Sequence, residues 1–181
     1  MKTIKYSLLV FLVAIFTKCT PDDTGSFGEK IDRKQQLIGT WKIQTASQID
    51  LDAEKKSFPE FATKVDITNA LADMPFSDFE MTLTDNTIST IIGNSAMNYV
   101  IEEGNGTWSF ITNQELTLVN TELGINASNG ITTTINGKEV ILLISTFSGL
   151  NASNPFITLN YKRQDETGSQ VTRYEYILVK Q

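Results

Sequence analysis

The chain has no histidine, and only one of its 181 residues is a cysteine. Without His, the usual general base and the commonest metal ligand are missing. Neither a Ser-His-Asp nor a Cys-His nucleophile can be assembled within the chain. A single Cys forms no internal disulfide, and Cys-based zinc sites need three or four. Positive charge is also short: 15 Lys and Arg stand against 21 Asp and Glu. No basic cluster is present, so nucleic acid is not an expected partner. Long apolar runs are lacking too. The longest, Leu8–Phe16, holds nine residues, and a membrane-spanning helix needs about 20.

That short run matches the apolar region of a signal peptide. Lys2 and Lys5 precede it, and Thr17, Lys18 and Cys19 follow. A buried N-terminal helix would show a polar face, and this run has none. Cys19 sits where a signal peptidase would cut. The segment resembles a bacterial lipoprotein signal, whose Cys is lipidated and becomes the first mature residue. Lys18 stands directly before the Cys, where such signals prefer a small residue. Removing residues 1–18 takes away three positive charges, Lys2, Lys5 and Lys18, and no negative one. Twelve positive charges then face 21 negative, a net −9. Anionic lipid would repel such a domain, so attachment would come from acyl chains. Pro21, Asp22, Asp23, Gly25, Ser26 and Gly28 give the next stretch the character of a flexible tether. The expected organisation is a signal peptide at 1–18, a lipidated Cys and tether at 19–35, and a folded domain at 36–181.

The folded part reads as β structure, because Thr and Ile are abundant and branching at Cβ favours strands. Phe79, Met81 and Leu83 alternate with Asp78, Glu80, Thr82 and Thr84, which is a half-buried strand. Other expected strands are Leu37–Ser47, Thr87–Ile92, Met97–Ile101, Thr107–Ile111, Glu115–Asn120, Ile131–Ile135, Glu139–Phe147, Phe156–Arg163 and Val171–Lys180. Asn136-Gly137 between two apolar runs is the strongest hairpin signal. The one expected helix is Asp66–Asp73, with Asp66 or Thr68 as its cap. Short strands at this spacing imply an antiparallel meander of eight to nine strands, closed as a barrel or sandwich.

Candidate chemistry is thin. Asp50, Asp52 and Glu54 alternate, but a calcium loop starting at Asp50 needs Gly and Glu where Lys55 and Phe61 stand. Gly104–Ser109 opens like a dinucleotide fingerprint, yet the third Gly is absent and no helix is expected after it. Glu102 and Glu103 are neighbours, and in a strand they would face opposite ways. No catalytic residue, metal site or cofactor is therefore expected. Trp41, Trp108, Tyr99, Tyr161, Tyr174 and Tyr176 are the candidate ligand-binding residues. They suit a pocket wall or a stack on sugar rings. The competing use, packing in the core or as an end plug, is the commoner fate of aromatics.

Leu37–Ile43 (LIGTWKI) resembles the Gly-x-Trp opening strand of lipocalin-like barrels. The stretches 66–86, 104–110, 157–163 and 172–180 follow in a familiar order. Together they look like a lipocalin-like domain family of unknown function found in Bacteroidota lipoproteins. The resemblance implies an antiparallel β-barrel anchored by lipid at the outer membrane, on its periplasmic side or at the cell surface. It carries over no catalytic residue. The expected role is a non-catalytic accessory barrel that binds a small apolar ligand or a glycan. A structural component with a filled barrel and an envelope-protein partner is the alternative, and a carboxylate-based hydrolase ranks last.

Overall fold

The computed structural model describes residues 31–123, 127, 129–145, 147–164, 167 and 170–181. The expected signal peptide, Cys19 and the tether up to residue 30 lie outside the described residues. The chain divides into two units, Met1–Asp32 and Arg33–Gln181. The second unit carries all the elements below.

Its strands are β1 (Gly39–Asp50), β2 (Lys64–Asp66), β3 (Glu80–Leu83), β4 (Thr87–Ile91), β5 (Gly104–Phe110), β6 (Asn129–Ile135), β7 (Lys138–Ile144), β8 (Phe156–Gln164) and β9 (Gln170–Lys180). Strands β3 to β9 form an antiparallel meander, each pairing with the next. Strand β1 closes it. One edge of β1 pairs with β3 through Gly39–Lys42, and the other pairs with β9 through Trp41–Asp50. The result is a closed eight-stranded barrel. The short β2 adds to β1 beyond β3, at Ser47–Ile49. The ring is weakest between β7 and β8, which are in register only at Leu143–Asn160 and Ile144–Leu159.

The alternating set behaves as its spacing requires. Phe79, Met81 and Leu83 are all buried and point into the barrel core with Trp41, Ile88, Ile131 and Ile157. The β6–β7 hairpin turns at Asn136 and Gly137, with φ of 52° and 79°. Two positive φ values give the turn whose twist matches the flanking strands. In β1 the β9 ladder skips Gln44. This bulge resets the alternation, so Trp41 and Ile43 before it and Ala46 after it are all buried. Gly106 admits the β6 backbone: a Cβ there would lie 1.9 Å from the Thr134 carbonyl oxygen.

Helices are more numerous than the sequence suggested. They are α1 (Arg33–Leu37), α2 (Leu51–Lys55), α3 (Glu60–Thr63) and α4 (Asn113–Leu123). Glu115–Asn120, expected as a strand, lies within α4. A reciprocal cap explains this: the Thr112 N–H donates to Glu115 Oε2 at 2.7 Å, and the Glu115 N–H donates to Thr112 Oγ1 at 3.2 Å. Helix α4 covers the outer face of β7, burying Leu143 with Ile111 and Ala127. Met97–Ile101, also expected as a strand, instead holds a 3-10 turn at Ala96–Tyr99. The expected helix Asp66–Asp73 does not form. Asp66 ends β2 and its carboxylate accepts from the Thr68 N–H at 2.8 Å. Thr68 Oγ1 accepts from the Ala46 N–H at 2.9 Å, which ties the segment to β1 instead of letting it coil. Helix α1 starts at Arg33, ahead of the expected domain start at residue 36. Among the described residues, no helix is long and apolar enough to cross a membrane.

Candidate functional site

The two ends of the barrel differ, and α1 makes the difference. The Gln36 side chain donates to Asn151 Oδ1 at 2.8 Å, and Lys34 donates to Asn86 Oδ1 at 2.9 Å. Lys180 Nζ donates to the Gln36 carbonyl at 3.0 Å and lies 5.6 Å from the centre of the Trp41 ring. Trp41 Nε1 donates to the Leu37 carbonyl at 2.8 Å. Trp108 Nε1 donates to the Thr84 carbonyl at 2.8 Å, and its ring meets Phe110 edge-on. Both indoles are buried with their N–H groups satisfied. Trp41 and Trp108 therefore belong to the plugged end.

Among the described residues the opposite end is open. It holds a pocket of about 660 Å³, lined by Gln48, Ile67, Ala70, Leu71, Phe76, Ala96, Tyr99, Val100, Tyr161, Arg163, Tyr174 and Tyr176. Strand period places the tyrosines. Tyr161 is paired with Tyr174, and Leu159 with Tyr176, across β8 and β9. On the other side of β9, Gln48 is paired with Tyr174 and Ala46 with Tyr176. Directly opposed residues share a face, so this set forms one inward wall. Tyr161 and Tyr174 lie 6.4 Å apart between ring centroids, and Tyr176 packs on Phe76 at 5.6 Å. Burial pushes the Tyr176 phenol well above its ordinary 10.0, and the neighbouring Tyr174 and Tyr161 add to it.

The remaining wall comes from turns. Phe76 enters from the 3-10 turn Phe76–Asp78 before β3. Ala96, Tyr99 and Val100 come from the β4–β5 connection, whose turn is capped by Ser95 Oγ accepting from the Met97 N–H at 3.3 Å. Ile67, Ala70 and Leu71 follow β2. Tyr99 and Leu71 are exposed, which gives the opening an apolar rim. Of the sequence candidates, the structure brings Tyr99, Tyr161, Tyr174 and Tyr176 together and leaves the two Trp elsewhere. Gln48, Phe76 and Arg163 were not among the candidates. Arg163 was within reach of sequence reasoning, because it continues the Tyr161 phase by two residues.

Asp50, Glu54, Glu102 and Glu103 are engaged outside the pocket. Asp50 caps α2, accepting from the Asp52 and Ala53 N–H groups at 2.9 and 3.0 Å. Glu54 takes both Arg173 terminal nitrogens at 2.6 and 3.1 Å. Glu102 pairs with Lys138. Glu103 accepts from the Ile92 and Gly93 N–H groups at 2.8 and 3.1 Å, which hold its carboxyl below the ordinary range. Among the described residues, no group of three or more His, Cys, Asp or Glu could hold a metal ion.

A closed antiparallel barrel with one plugged end and one apolar-walled mouth defines the class of this protein. Residues 16–156 match the family described as a domain of unknown function, DUF5004, and the chain belongs to that family. The matched segment ends at the start of β8, before the strand positions of Tyr161, Arg163, Tyr174 and Tyr176. No curated protein and no solved structure matches the chain.

Proposed function

We propose that this protein is a non-catalytic binding barrel whose open mouth holds a small, mainly apolar ligand. The pocket carries the reading: about 660 Å³, walled by Tyr99, Tyr161, Tyr174 and Tyr176 with Phe76 below. Its volume lies within the ~300–1,000 Å³ of small-molecule sites, which are mostly apolar with a few polar groups. A sugar would need hydrogen-bond partners for many hydroxyls, and among the described residues Gln48 and Arg163 are the only non-aromatic polar side chains in the lining. That favours an apolar ligand over a glycan. A carboxylate-based hydrolase has less support, because the lining contains neither Asp nor Glu among the described residues.

The sequence before the barrel extends the reading to an envelope lipoprotein of lipocalin-like type, as in Bacteroidota. Its signal peptide would be removed before Cys19, and acylated Cys19 would hold it at the outer membrane. A protein-interaction role is the second reading. It is favoured by Phe58, Phe61 and Val65, three exposed apolar side chains on the segment that runs through α3 into β2. The test is titration of the full chain with the neutral apolar fluorophore N-phenyl-1-naphthylamine. Saturable enhancement that weakens in Tyr174→Ala supports the mouth as the site. Enhancement that is absent, or the same in Tyr174→Ala, overturns it.

A further inference from the structure

We infer that the ligand is an amphipathic monoanion, a small carboxylate on an aliphatic or aromatic body, with its charged group at Arg163. This deepens the proposed function and rests on it. Among the described residues, Arg163 is the single charged side chain in the pocket lining. Its position is set by the β8–β9 ladder, where Leu159–Tyr176, Tyr161–Tyr174 and Arg163–Thr172 succeed one another. Alternate residues on a strand face the same way and lie roughly 6.6 Å apart. The wall therefore runs from Leu159 and the buried Tyr176 at depth, through the Tyr161 and Tyr174 phenols, to a guanidinium at the lip. Tyr176 is 4 % exposed and Tyr161 37 %, and Arg163 is exposed. Burial thus falls in the same order as apolar character.

That gradient fits a molecule whose apolar body enters and whose charge stays in water. Arg offers a planar fork of N–H donors that matches a carboxylate with two parallel hydrogen bonds. The sign is informative because the chain as a whole is acidic, at −6. A cation at the mouth opposes the overall charge, and among the described lining residues no carboxylate stands beside Arg163 to offset a ligand cation. Gln48, paired with Tyr174, adds a neutral amide to the same wall.

The experiment compares three probes of one chain length on the full chain by calorimetry, below their micelle-forming concentrations. They are decanoate, decanol and decyltrimethylammonium. Decanoate should bind most tightly, the alcohol next and the ammonium last. Arg163→Gln should weaken decanoate roughly fivefold to tenfold and leave decanol unchanged. Arg163→Glu should bring the ammonium above decanoate. Arg163 is exposed, so both variants should keep the wild-type melting temperature, and circular dichroism checks this. If decanol and decanoate bind equally and Arg163→Gln changes neither, the anion assignment is overturned while the binding barrel stands. If no probe binds, both are overturned.

Discussion

The Tyr174 and Tyr176 rings lie nearly parallel, 7° between planes and 6.4 Å between centroids, two residues apart on one face of β9. Tyr176 is the buried member and its phenol is held above the ordinary 10.0. A raised folded value means that the native state keeps its proton where the unfolded chain has lost it. The stabilisation is fully present below 10.0 and is lost as pH rises above that toward the folded value. Urea midpoints measured from pH 8 to 11.5 should fall less steeply in Tyr176→Phe than in the wild type. Identical slopes would show that Tyr176 does not contribute.

At the plugged end, Trp41 joins α1 to the barrel. Trp41→Ala should cost about 3–5 kcal/mol, the usual range for removing a buried large aromatic. Trp41→Phe keeps much of the volume but leaves the Leu37 carbonyl without its 2.8 Å partner. It should cost less, about 1–3 kcal/mol. Denaturant unfolding of the two variants checks both. A Trp41→Phe variant as stable as the wild type would mean that the indole N–H bond is irrelevant.

Gly106 and Gly137 make a paired backbone test. At Gly106 a methyl would collide with the Thr134 carbonyl, while at Gly137 nothing lies within 4 Å but φ is +79°. Gly106→Ala should push β5 and β6 apart and cost more than ~2 kcal/mol. Gly137→Ala should cost about 1 kcal/mol, from φ alone. Thermal melts that rank them in the opposite order would contradict the close approach of β5 to β6.

Much of the barrel was legible because its strands obey a period of two. The 79–84 alternation and the Asn136-Gly137 turn each specify local structure without help from afar. Helix α4 reads locally as a strand because Glu115, Leu116, Thr117 and Leu118 alternate polar and apolar, a strand-like pattern. Its cap, Thr112 with Glu115 three residues later, was the sequence signal that could have decided for helix. Asp66–Asp73 failed in the other direction: its turn is held by Thr68 bonding to Ala46, 22 residues away. The same limit applies to the site. Trp41 and Tyr176 are both inward aromatics on strands, and nothing local distinguishes plug from mouth. The difference comes from α1 docking at one end.

The proposed anchor is tested in cells. Metabolic palmitate labelling of the wild type beside Cys19→Ala should label the wild type and not the variant. Equal labelling, or a soluble unlabelled wild type, would contradict acylation at Cys19.

The most direct test of the open mouth as the binding site is NMR of the full chain with labelled tyrosine rings and tryptophan indoles. Single Tyr→Phe variants assign the rings, and decanoate is the titrant. The account predicts saturable shifts of Tyr161, Tyr174 and Tyr176, while the Trp41 and Trp108 indole signals at the plugged end stay in place. Shifts that centre on the indoles, or tyrosine signals that never move, would contradict it.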